Sequence, residues 1–78
     1  MEIKVMLDSI QKVQDFVETT NLIECDVDVM SSKQVYRDGK SFLGLMSCNF
    51  RRPLTVIIHG DVAIQEYAGK LLGRFMVQ

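Results

Sequence analysis

Ser41 carries the best-placed hydroxyl of this 78-residue chain. It stands in the run Gly39-Lys40-Ser41-Phe42-Leu43-Gly44-Leu45-Met46-Ser47, where Asp38-Gly39 supplies a turn and Ser41 falls at the expected N-cap of a short helix. An N-cap oxygen meets free backbone N–H groups at the positive end of the helix dipole, and a phosphate is stabilised in the same place. Lys40 stands beside it as a cation able to hold such a phosphate. Phe42, Leu43, Leu45 and Met46 give the helix more apolar side chains than one short element can bury. Phe42, Leu45 and Met46, at spacings of three and four, can share one face and are the expected partner-binding residues.

The other groups with chemical potential are few. His59 is the sole histidine, at the end of an alternating segment before Gly60, and reads as a surface or edge side chain. Ser9 falls at a helix start, where a serine serves as a cap, and no neighbouring base is there to activate it. Cys25 and Cys48 form no Cys-x-x-Cys pair, and with one histidine the chain lacks the soft ligands of a zinc site. Cys25 reads as a small buried hydrophobe, and Cys48, at the end of the short helix, has no activating neighbour. Arg51-Arg52 read as solvated turn residues. No constellation for catalysis, metal or cofactor is present, so the chain is not expected to be an enzyme.

Periodicity and caps define the elements that must position these groups. Ile3, Val5 and Leu7 alternate with polar neighbours in a first strand. Asp8 or Ser9 then starts a helix, with Asp8 and Gln11 at capping-box spacing. Ile10, Val13 and Val17, widened by Phe16, form its apolar stripe, and Thr19-Thr20-Asn21 end it. Ile23, Cys25, Val27 and Val29 alternate in a second strand, and Ser31-Ser32 turn into a third around Gln34 to Arg37. After the Ser41 helix, Leu54, Val56 and Ile58 mark a fourth strand entered through Pro53. Gly60-Asp61 cap a last helix bearing Ile64, Ala68, Leu71 and Phe75. The order βαββαβα predicts one α+β domain over residues 1–78, a four-stranded antiparallel sheet covered on one face by two longer helices, with one short helix.

Composition narrows the function classes. With 47% hydrophobic and 24% charged residues the chain can build a core. Nine basic against ten acidic residues, net charge −1, leave no basic stripe for nucleic acid. No apolar run approaches membrane-spanning length, and Met-Glu-Ile-Lys-Val opens no signal peptide, so a cytoplasmic, reduced setting is expected.

The Lys40-Ser41 helix closely resembles the regulatory serine segment of HPr, the small phosphocarrier family of the bacterial sugar phosphotransferase system, in which Lys-Ser opens a helix of the form hydrophobic-hydrophobic-Gly-hydrophobic-Met-Ser. The element order is also that of the HPr fold, an open-faced β-sandwich. The resemblance implies phosphorylation of Ser41 by an HPr kinase. It also implies docking of the Ser41 helix on protein partners: enzymes of the phosphotransferase system or a transcription regulator.

The family's second signature is missing. Its reactive histidine sits at the start of the first helix within Gly-(Ile/Leu)-His-Ala-Arg-Pro-Ala, where helix N–H groups and the arginine stabilise the phosphorylated imidazole. The corresponding stretch here is Leu7-Asp8-Ser9-Ile10-Gln11-Lys12-Val13, with Ser9 or Ile10 at the histidine position. Asp8 opposes an anion there, and Lys12 is a flexible point charge rather than a planar fork. The expectation is an HPr-like protein without histidine chemistry, acting as a regulatory or interaction module, as a monomer or weak homodimer. Two alternatives stand beside it: a degenerate phosphotransferase-system component that still binds the system's enzymes, and a structural or assembly domain keeping only the fold.

Overall fold

A first strand, β1 (Glu2–Val5), leads into helix α1 (Ile10–Thr20), followed by β2 (Val27–Met30) and β3 (Tyr36–Asp38). The short helix α2 (Phe42–Met46), β4 (Leu54–Ile58) and helix α3 (Val62–Leu72) complete the order, and one 3-10 turn (Gly73–Phe75) follows. The computed structural model describes residues 1–31 and 35–77. The strands form one sheet in the order β1-β4-β2-β3 with every neighbour antiparallel. This is the α+β arrangement expected from the sequence; the expected turn at Ser32 and strand start at Gln34 lie outside the described residues.

Strict alternation sorts the sheet into two faces. Ile3, Val5, Val27, Val29, Leu54, Val56 and Ile58 are buried under the helices. Glu2, Lys4, Thr55, Ile57, Asp28 and Met30 line up in register on the other face, where each is exposed or half-buried. Val13 and Phe16 of α1, Leu45 of α2, and Ala68 and Leu72 of α3 complete the core with Phe75. Phe16 and Phe75 meet edge to face, ring centroids 5.4 Å apart, which locks α1 to the end of α3. The chain after α3 then returns along β1: Val77 donates its N–H to Lys4 O at 3.0 Å, which protects part of that edge.

Several local expectations are corrected. The second strand is shorter than the Ile23–Val29 alternation: only Val27–Met30 pair, while Ile23 is buried from an irregular segment. Its carbonyl is taken by the Lys40 ammonium instead of a neighbouring strand. The Asp8–Gln11 capping box does not form. Ser9 caps α1 by accepting from Lys12 N at 3.1 Å, Gln11 turns to Asp15, and Asp8 pairs with Lys12 at 3.3 Å. Asp8 has φ 31, the sole positive value among non-glycine residues described, because Ser9 N closes a tight turn onto Leu7 O. Ile10 leaves the expected stripe and is 52% exposed. Thr20 takes a core place, its single O–H within reach of Gly39 O at 2.8 Å and Val17 O at 3.1 Å, so the buried hydroxyl is paired.

Candidate functional site

The Ser41 corner is built from two turns. Asp38 closes the first: Ser41 N donates to Asp38 O at 3.1 Å, and the Asp38 carboxylate accepts from Lys40 N at 2.9 Å. The turn is pinned to the core at Gly39. Gly39 N reaches Val27 O at 2.6 Å, and its carbonyl accepts the buried Thr20 hydroxyl. Ser41 then caps α2, its Oγ accepting from Gly44 N at 3.0 Å. Gly44 allows this approach, since a Cβ there would lie 3.2 Å from Ser41 Oγ. Ser41 is half-buried and its oxygen is already in use as the cap, the role its position predicts.

The cation expected to serve Ser41 points elsewhere. Lys40 Nζ donates to Ile23 O, and Asn21 Nδ2 holds Lys40 O at 3.3 Å, so the corner is tied to the C-terminal end of α1. Replacing Ser41 with alanine is expected to cost about 1 kcal/mol through the lost cap, whereas asparagine at the same place keeps it. Urea melts of the two variants measure the difference.

The apolar face of α2 is distributed differently from the sequence expectation. Leu45 is 0% exposed, Phe42 and Met46 pack partly against the core, and Leu43 stands 79% exposed. Leu45 is thereby removed from the expected contact residues. A five-residue helix packed between α1 and β3 turns one of its apolar side chains fully into the core, and here that is Leu45. Leu43, two positions back and on the opposite side, becomes the side chain α2 offers to solvent.

The start of α1, where a carrier histidine would stand, is occupied by structure. Ser9 is the N-cap and Ile10 the first helical residue. Lys12 is drawn to Asp8, so the one cation nearby is already partnered. His59, the remaining imidazole, lies across the molecule at the end of β4, with Nε2 2.8 Å from Asp28 Oδ2. Among the described residues the Ser9 hydroxyl at the start of α1 is used as the cap and Lys12 is paired with Asp8. Among the described residues no three His, Cys, Asp or Glu side chains gather as a metal site.

A second cluster had no signal in the sequence. Arg37 Nε donates to Ser47 Oγ at 2.8 Å and one terminal nitrogen donates to Tyr36 O, tying β3 to the end of α2. Ser47 Oγ donates in turn to Gly44 O at 2.6 Å. Beside this pair a groove of about 540 Å³ is lined by Arg37, Ser47, Cys48, Asn49 and Arg52. Arg37 and Ser47 are ten residues apart, and only the β3 register and the return through α2 make them neighbours.

Cys48 donates its thiol to Leu45 O at 3.0 Å. Burial pushes its pKa up, and the Arg37 charge and a backbone hydrogen bond pull the other way without cancelling it. A thiol whose folded pKa is raised gives stability that is complete below the unfolded value, near 9.0, and is lost as pH rises through the folded value. Alkylation by iodoacetamide at pH 8 is therefore expected to be slower at Cys48 in the folded protein than in denaturant, and mass spectrometry of the adducts reads the ratio.

No family model matches this sequence, and no curated protein matches it either. No helix among the described residues is long and apolar enough to cross a membrane.

Proposed function

We propose that this domain is an HPr-like regulatory or interaction module that docks through the Ser41–α2 corner and has no histidine phosphocarrier chemistry. The observation that carries the reading is the placement of α2, with a capping serine at its start and Leu43, two residues further on, 79% exposed. An apolar side chain held out on a braced, five-residue helix loses little entropy when a partner covers it. Leu43, flanked by the half-exposed parts of Phe42 and Met46, replaces Leu45 in the contact surface.

Phosphorylation of Ser41 would add a charge of about −1.5 to −2 at the start of α2. Lys40 would have to give up its bond to the Ile23 carbonyl to meet the phosphate. The same charge beside the Asp38 carboxylate would strain the turn, so the modification alters the docking corner itself. The partner class in this reading is a protein: an HPr kinase for the modification, and a phosphotransferase-system enzyme or a transcription regulator for docking.

The test is phosphorylation by an HPr kinase with ATP, mapped by mass spectrometry on the native domain and on Ser41→Asn, which retains the cap. Phosphate on Ser41, absent in the variant, is expected. Labelling that persists in Ser41→Asn, or none in the native domain, would reject the assignment of Ser41.

A further inference from the structure

The groove past the C-terminal end of α2 is independent of the Ser41 reading, since it lies at the opposite end of the helix. Arg37 approaches from β3 and Arg52 from the turn before β4, and both line the same cleft. Among the described residues neither arginine has a carboxylate partner, whereas Lys12 and His59 each do. Arg37 is also held in place: Nε and one terminal nitrogen are bonded to Ser47 and Tyr36, which fixes the plane of the guanidinium and leaves its other terminal nitrogen without a partner among the described residues. Asn49 and Ser31 add polar groups, and Val35 and Cys48 give the cleft apolar wall.

We propose that this groove binds a small organic phosphomonoester, with Arg37 and Arg52 on the phosphate and the organic part against Val35 and Cys48. Two guanidinium groups match a group that carries about two negative charges near neutral pH better than a single carboxylate. A volume of about 540 Å³ exceeds what a phosphate alone fills and lies within the range of small-ligand pockets, about 300–1,000 Å³. The adverse dipole at the end of α2 is small. The helix has five residues, and its final carbonyls already accept from Ser47 and Cys48.

Titration of the native protein with glycerol 2-phosphate, followed by amide and arginine side-chain NMR shifts, tests the site. Saturable shifts confined to Arg37, Ser47, Asn49 and Arg52 are expected. Arg52→Gln should weaken binding about tenfold, the loss of one charge-assisted contact, and Arg51→Gln, outside the groove, should leave it unchanged. Arg52 is exposed and its side chain bonds to no described residue, so its variant keeps the fold even if Arg37→Gln loosens α2. Shifts that fail to saturate, or an equal loss in Arg51→Gln and Arg52→Gln, would overturn the site. Inorganic phosphate binding as tightly as the ester would overturn the ester assignment.

Discussion

Replacing Leu45 with alanine is expected to remove about 2–5 kcal/mol of stability, the usual cost of a large-to-small change in a closed core. Leu45 is the only fully buried side chain of α2, and the core around it is formed by strands and helices that cannot collapse onto the gap. For a domain of this size, total stability is about 4–12 kcal/mol at typical values per residue, so the loss is a large fraction of the whole. The same change at Leu43 should fall within about 0.5 kcal/mol of zero, because its side chain is already in water. Chemical denaturation of the two variants gives the comparison directly. Similar losses at both positions would mean that α2 packs on a different face.

Gly39→Ala is expected to cost about 2–4 kcal/mol, from overpacking together with strain on buried hydrogen bonds. The reason is space rather than backbone freedom, since Gly39 has no positive φ. An added Cβ would lie 2.8 Å from both Val27 Cγ1 and Val27 O. Val27 belongs to β2, an inner strand paired on both sides, so it cannot retreat. Moving Gly39 outward instead breaks its N–H bond to Val27 O and the bond from the buried Thr20 hydroxyl. Both outcomes loosen the turn that presents Ser41. A melting curve should show the loss, and hydrogen exchange should show it first at the amides of position 39 and Ser41.

These two positions also mark how far the sequence could be read. Alternation in Leu54–Ile58 and Ile3–Val5 was plain because each strand has one buried face, and the Ser41 and Asp61 caps were recognisable by residue type and position. The antiparallel sheet follows from those signals. Which α2 side chain turns outward was not legible, because five residues make little more than one turn and every apolar position looks alike. Nor was the Gly39–Val27 contact, which depends on β2 lying beside the turn. The Ile23–Cys25 alternation imitated strand, but Lys40 satisfies the Ile23 carbonyl and no ladder is needed there. Arg52 reads as a solvated turn residue and Arg37 only as the end of a strand. Tertiary return alone gives them a common groove.

The proposed docking and regulatory module without carrier chemistry would present two surfaces of opposite character. At α1 the histidine position that the resemblance implies, Ser9 or Ile10, holds a helix cap or the first helical residue, and Asp8 pairs with Lys12. At α2 a serine and an exposed leucine stand together on a braced turn. One measurement separates them most directly: site-resolved mass spectrometry after parallel incubations, with phosphoenolpyruvate and the first enzyme of the phosphotransferase system, and with an HPr kinase and ATP. No acid-labile phosphate is expected in the first incubation, and acid-stable phosphate is expected on Ser41 in the second. An acid-labile phosphate acquired from phosphoenolpyruvate, on His59 or elsewhere, together with an unmodified Ser41, would contradict the proposal.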